Sequence, residues 1–132
     1  MKLLLTGAFN WSFEQLNILK DEGWEICFSE REDTQLNINV LDADAAVCNW
    51  LFANHSIKRF HRLKCIQLLS AGLDRVPLEY IKEHNIELYN ARGVYSVPMA
   101  EFAVCGVLQL LKCSREFYDK QKLHILGKKT VI

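Results

Sequence analysis

Four residues, Ser70-Ala71-Gly72-Leu73, follow an apolar run and precede a helix-like stretch. In such a turn successive backbone N–H groups can converge on an anion, and a glycine allows the ligand a close approach. The same residues also suit an ordinary strand-to-helix turn in which Gly72 only supplies a positive φ. Asn49 and Trp50 follow another apolar run and bring an amide and an indole to the same edge, although Trp50 is as well suited to core packing. Asp74 fits the ordering of the turn or a helix cap better than chemistry. Arg92 ends a third apolar run and carries a fork of donors that matches a carboxylate, but a structural or peripheral salt bridge is expected of it. His55, His61, His84 and His124 are scattered without metal-ligand spacing and read as solvated helix residues. Five cysteines, an odd number with no C-x-x-C pair, include Cys27, Cys48 and Cys65 inside apolar runs. Those three read as small buried hydrophobes in a reducing compartment.

Composition narrows the classes of function. The 132 residues are 50% hydrophobic, enough for one core, and 16 basic residues balance 16 acidic ones. The balance argues against a nucleic-acid partner, and no long run of like charge forms a solvating tail. The apolar start breaks at Thr6-Gly7, too early for a signal peptide. The most apolar stretch, 99–111, contains Glu101 and Gln109 and is shorter than the roughly 20 residues a membrane span needs. A soluble, cytoplasmic protein with no membrane partner is expected.

These candidates need elements to position them. Strands are expected at 2–5, 25–28, 45–48, 65–69 and 86–89. Between them helices are expected at 12–22, 54–61 and 77–85, with a loop at 29–34 and a weak helix around Leu36, Val40 and Leu41. Ser12 and Gln15 have capping-box spacing, with Phe13, Leu16 and Leu19 on one face and Gly23 at the stop. Asn54 is expected to cap the second helix, with Ile57 and Phe60 inward. Pro77 opens the third, with Leu78 and Ile81 inward. Five apolar strands joined by helices predict an α/β fold: a doubly wound, flavodoxin-like, five-stranded parallel sheet with helices on both faces. Ligands of such sheets bind outside the strand carboxyl ends, near the switch point. A receiver domain is excluded, because Leu5-Thr6-Gly7 and Cys48-Asn49 stand where its acids would be. A flavin or phosphate loop at 6–12 has hydroxyls and a glycine, but Phe9 and Trp11 are bulky for a phosphate cradle.

Beyond Pro98 the pattern changes. At 100° per residue Glu101, Cys105, Gln109 and Lys112 share one narrow arc, and the rest of 99–111 is apolar. So thin a polar stripe expects partners on more than one side, a further domain or another chain. A polar helical stretch runs to about Lys122, and Gly127-Lys128-Lys129-Thr130-Val131-Ile132 reads as the start of a strand.

The segment Leu63-Lys64-Cys65-Ile66-Gln67-Leu68-Leu69-Ser70-Ala71-Gly72-Leu73-Asp74-Arg75 resembles the D-isomer-specific 2-hydroxyacid dehydrogenases. So does Asn90-Ala91-Arg92-Gly93-Val94-Tyr95-Ser96-Val97-Pro98-Met99-Ala100-Glu101-Phe102. The resemblance implies NAD-dependent hydride transfer on a small 2-hydroxy or 2-keto acid. It implies a substrate-binding domain over 1–97, hinge and inter-domain helices over 98–124, and the first residues of an NAD-binding domain over 125–132. By resemblance Ser70, Ala71, Gly72 and Leu73 receive the substrate carboxylate, Asn49 borders the cleft, Tyr95 closes over substrate or nicotinamide, and Met99 touches the cofactor. The family's catalytic Arg, Glu and His have no matching positions, so no catalytic residue is assigned. The six glycines, at 7, 23, 72, 93, 106 and 127, include no pair two apart, so G-x-G-x-x-G is absent. The chain alone is therefore expected to bind no NAD, hold no metal and be inactive, and to self-associate as a homo-oligomer through helix 99–111. The alternative is a flavodoxin-like ligand-binding or interaction module without catalysis.

Overall fold

The computed structural model describes residues 1–125. The expected strand at 127–132 lies outside them. The first strand, β1 (Lys2–Thr6), buries three consecutive leucines because it has sheet neighbours on both sides and a layer on each face. Ser12 then caps α1 (Phe13–Asp21). Its hydroxyl accepts from the Gln15 amide at 3.2 Å, and the Gln15 side chain accepts from the Ser12 amide at 2.9 Å. This is the reciprocal capping box that the spacing predicts. Gly23, at φ +85, turns the chain out of the helix and into β2 (Glu25–Ser29).

Then come a polar loop, a 3-10 turn (Ile38–Val40), β3 (Ala45–Cys48), α2 (Leu51–Asn54), a 3-10 turn (Ile57–Arg59), β4 (Cys65–Leu68), α3 (Leu78–Glu83) and β5 (Glu87–Tyr89). All strand pairs are parallel, in the order β2-β1-β3-β4-β5. This is the doubly wound, flavodoxin-like order. The chain leaves β1 for β2 on one side and returns as β3 on the other, so the switch point lies between β1 and β3.

Alternation along the strands sends side chains to opposite faces. On one face Leu4, Ala46, Cys48, Ile66 and Leu68 pack with Leu51, Phe52, Ile57, Phe60 and Ile81. On the other, Leu3, Leu5 and Ala45 pack with Trp11, Leu16, Leu19 and Trp24. Each fully buried leucine contributes about 1.5–3 kcal/mol of apolar transfer.

Three details depart from the local pattern. Phe13 is 79% exposed, because Trp11, just before the cap, takes the place over the sheet and donates its indole N–H to the Thr6 carbonyl at 3.0 Å. Asn54 ends a helix instead of starting one. Leu51 and Phe52 are buried directly after β3, which draws the helix start forward, and the Asn54 side chain donates back to the Trp50 carbonyl at 3.1 Å. Ile57 and Phe60 are buried as predicted, but on a single 3-10 turn. In α3, Ile81 is buried and Leu78 is 47% exposed, because Val76 ahead of the helix fills the core position.

At the amino ends of the strands, the buried Asp44 carboxylate accepts from the Lys2 amide at 2.7 Å and from the Arg62 guanidinium at 3.1 Å. The Lys2 amide, opposed by burial and helped by Arg62, holds this carboxyl below its ordinary range.

By contacts the chain divides into two compact units, Met1–Arg92 and Gly93–Ile132. The second contains α4 (Ser96–Leu111) and α5 (Ser114–Lys122), separated by Cys113 in the left-handed region. No residue of α4 is buried, and Phe102 is 82% exposed. Gln109 donates to the Cys105 sulfur at 3.3 Å, so the thin polar arc is real. No single helix among the described residues is long and apolar enough to cross a membrane.

Candidate functional site

The carboxyl ends of β1, β3, β4 and β5 carry almost all the candidate residues of the first unit. The turn at 70–73 has an asymmetric hydrogen-bond pattern. Its carbonyls are occupied: Ser70 O accepts from the Ala91 amide at 3.0 Å, Ala71 O from the Asn90 side chain at 2.8 Å, and Gly72 O from the Ser70 hydroxyl at 3.2 Å. The amide N–H groups of Ala71, Gly72 and Leu73 have no acceptor among the described residues. A turn with its carbonyls tied back and its N–H groups free presents positive dipole ends, which is what an oxyanion requires.

Gly72 serves a different purpose from the one its type suggests. Its φ is not positive; instead, a Cβ built on it would lie 2.6 Å from a carboxylate oxygen of Asp74. The glycine leaves room for the Asp74 carboxylate over the turn, and Pro77, not Asp74, takes the cap of α3.

Asn49 stands one residue beyond the paired Cys48 and Leu68, and the Leu69 amide donates to the Cys48 carbonyl at 2.9 Å. This register sets Asn49 beside the 70–73 turn. Two residues outside the sequence reading join it there. Glu32, from the polar loop after β2, is buried in the switch-point crevice. Its carboxylate accepts from the Thr6 hydroxyl at 2.7 Å, the Asn49 amide at 2.8 Å and the Trp50 amide at 2.5 Å. Arg75 donates to the Asn49 side-chain carbonyl at 2.5 Å, and its guanidinium lies 3.8 Å over the Trp50 ring. Trp50 is therefore a half-exposed stacking surface, not core. Glu32 had no periodic signal, since an acid in a polar loop looks solvated. Arg75 lies within the resembling segment, but its partners are 25 and 26 positions away.

A cleft of about 400 Å³ opens beside this group, lined by Gly7, Ala8, Asn49, Trp50, Asn54 and residues 30–33. Glu32 occupies the switch-point crevice itself, so a phosphate at the first loop would face a carboxylate. The 70–73 turn, one strand further along, is the donor-rich place.

Among the candidates of the first unit, Arg92 does not join this cluster. Arg92 makes no ion pair among the described residues; its backbone amide donates to Asn90 at 3.3 Å. Tyr95 and Met99 belong to the second unit, at the N-cap and in the first turn of α4, where the Met99 amide donates to the Tyr95 carbonyl at 3.0 Å. No group of His, Cys, Asp and Glu among the described residues could hold a metal ion. The thiols do not assist: burial pushes Cys27, Cys48 and Cys65 up, Cys48 most strongly, which suppresses the reactive thiolate.

A five-stranded, all-parallel, doubly wound sheet defines a flavodoxin-like α/β domain. Its lineage follows from sequence comparison. Residues 4–131 match the family described as D-isomer specific 2-hydroxyacid dehydrogenase, catalytic domain, and the chain belongs to that family. A search of curated protein sequences finds no match.

Solved structures share the fold. A D-lactate dehydrogenase from Aquifex aeolicus complexed with NAD and lactic acid aligns with TM-score 0.72 and 20% identity, over 98% of this chain and 40% of that one. A D-isomer specific 2-hydroxyacid dehydrogenase from Lactobacillus delbrueckii ssp. bulgaricus in its NAD-complexed form gives 0.66 and 17%, over 98% and 41%. An NAD-dependent formate dehydrogenase from Staphylococcus aureus in complex with NAD gives 0.65 and 21%, over 96% and 43%. The chain thus spans about two fifths of the length of each of these structures.

Proposed function

We propose that this chain forms the substrate side of an NAD-dependent D-2-hydroxyacid dehydrogenase acting on a small 2-hydroxy or 2-keto acid. The turn of Ser70, Ala71, Gly72 and Leu73 receives the carboxylate. Asn49 borders the bound acid. Tyr95 as a substrate contact and Met99 as a cofactor contact are carried over from the family resemblance alone. The observation that carries this reading is the set of free N–H groups at residues 71–73 beside carbonyls that are all engaged. Two or three backbone donors on one carboxylate fix its orientation without a mobile charged side chain.

The residues of this chain do not fit a dinucleotide. No two glycines stand two apart, and Glu32 occupies the switch-point crevice between β1 and β3, where a nucleotide would otherwise lie. No step of hydride transfer is therefore assigned to these residues, and the 132-residue chain alone is inactive and binds no NADH. On this reading residues 1–97 are the substrate domain, 98–124 the hinge and inter-domain helices, and 125–132 the lead into a cofactor domain. The exposed apolar faces of α4 make the protein a homo-oligomer. The free thiols, with no disulfide among the described residues, suit the cytoplasm.

Titration of the ¹⁵N-labelled chain with pyruvate tests the reading. Saturable shifts at the Ala71, Gly72 and Leu73 amides are expected, and their absence up to high millimolar pyruvate would reject the turn as the carboxylate site. A parallel NADH fluorescence titration is expected to show no saturation up to millimolar cofactor; micromolar binding would overturn the assignment.

A further inference from the structure

We propose that Arg75 is a positioning residue that sets Asn49 as an amide donor, making the turn after β3 the second hydrogen-bonding arm on the bound acid. This inference rests on the carboxylate-turn reading above and deepens it. An arginine guanidinium has five N–H donors and no acceptor. The only part of the Asn49 side chain that can accept from it is the carbonyl oxygen Oδ1, and Arg75 meets it at 2.5 Å. That contact settles which way the amide faces. With Oδ1 committed to Arg75, the Nδ2 group is turned away from it, and it has no acceptor among the described residues. Its two N–H groups are therefore available to a ligand's oxygen.

Two further contacts hold this arrangement. The Arg75 guanidinium lies 3.8 Å over the Trp50 ring, so its plane is fixed by stacking as well as by the hydrogen bond. Glu32 accepts from the Asn49 and Trp50 amides together, so the backbone beneath both side chains is pinned. The register of β3 and β4 brings Asn49 next to the 70–73 turn, whose own N–H groups are free. The two sets of donors thus stand at the carboxyl ends of adjacent strands. A monocarboxylate with an oxygen on the adjacent carbon, as in a 2-keto or 2-hydroxy acid, offers acceptors to both.

The test is pyruvate titration of the ¹⁵N-labelled full chain, following the Ala71, Gly72 and Leu73 backbone amides and the Asn49 side-chain amide. In the wild type both sets are expected to shift on one binding curve. In Arg75→Met the Asn49 amide is expected to lose its response and affinity to fall about tenfold, the equivalent of one good hydrogen bond, while the backbone set still shifts. Arg75→Lys keeps a donor over Trp50 and is expected to restore part of the Asn49 response. Asn49→Asp keeps its pairing with Arg75, and so the local structure, but presents oxygen where the wild type presents N–H. It is expected to weaken binding at least as much. Unchanged affinity in Asn49→Asp, or an unchanged Asn49 response in Arg75→Met, would overturn the positioning role and leave the turn reading standing. A wild type whose backbone amides at 71–73 do not respond would overturn both.

Discussion

The two ends of the sheet each bury an acidic side chain, and they satisfy it in opposite ways. At the amino ends Asp44 accepts from the Lys2 amide and is paired with Arg62, a charge for a charge. At the carboxyl ends Glu32 holds only neutral donors, the Thr6 hydroxyl and the amides of Asn49 and Trp50. The first arrangement ties the starts of β1 and β3 to the segment leading into β4 and keeps the carboxylate itself out of a ligand's reach. The second fixes the backbone of a turn while leaving the side chains of Asn49 and Trp50 free to face outward. The stabilising end of the molecule is closed electrostatically, and the binding end is held by its main chain.

The largest expected effect comes from removing the neutral clamp. Glu32→Ala strands the Asn49 and Trp50 amides at once and leaves the Thr6 hydroxyl only its longer bond to the Val47 carbonyl, and loss of about 3 kcal/mol in urea unfolding is expected. A loss below about 1 kcal/mol would erase the distinction between the ends. At the amino end Asp44→Ala is expected to cost about 1 kcal/mol at neutral pH, since Arg62 is largely exposed and its charge screened. Because the folded-state pKa of Asp44 is lowered, its contribution is complete above the ordinary carboxylate range and is lost as pH falls through the lowered value. The stability gap between wild type and Asp44→Ala should therefore hold at neutral pH and narrow as pH falls below the ordinary carboxylate range in urea titrations; a widening gap would contradict the pairing. Gly72→Ala should lower stability by only about 0.5 kcal/mol, because the displaced atom is the tip of the Asp74 side chain. It should nevertheless abolish the pyruvate response at residues 71–73. The smallest effect belongs to the exposed pair of Lys2 and Glu25, 3.7 Å apart at the amino end. Glu25→Gln should change the free energy of urea unfolding by no more than about 0.5 kcal/mol, showing that charge stabilises that end only where it is buried.

The strands, the capping box at Ser12 and the stop at Gly23 were legible in the sequence because each is decided by residues a few positions apart. The errors in the elements have one cause, that a residue two or three positions earlier took the place that local periodicity or capping assigned to a later one. Trp11 displaced Phe13 from the core, Val76 displaced Leu78, and Leu51 with Phe52 pulled α2 ahead of Asn54. At the site, the 70–73 turn was visible as a glycine after an apolar run. Glu32 and Arg75 were not, because their meaning depends on Asn49, which is 17 and 26 positions away. Even at Gly72 the residue type pointed to a backbone angle, whereas the structure shows a collision avoided with Asp74.

The strand order also bears on how the chain acquires its structure as it is made. Once Ser29 has emerged from the ribosome, β1 can pair with β2, but the opposite edge of β1 must wait for Ala45–Cys48. During that interval a leucine-rich strand has an open side, and synthesis at about 5–20 residues per second makes the wait last on the order of seconds. Glu32 is translated inside this window and reaches its amide partners only when Asn49 and Trp50 follow. The latch of the binding edge therefore closes at the moment β3 docks, and the nascent sheet becomes committed to its central pairing in the same step.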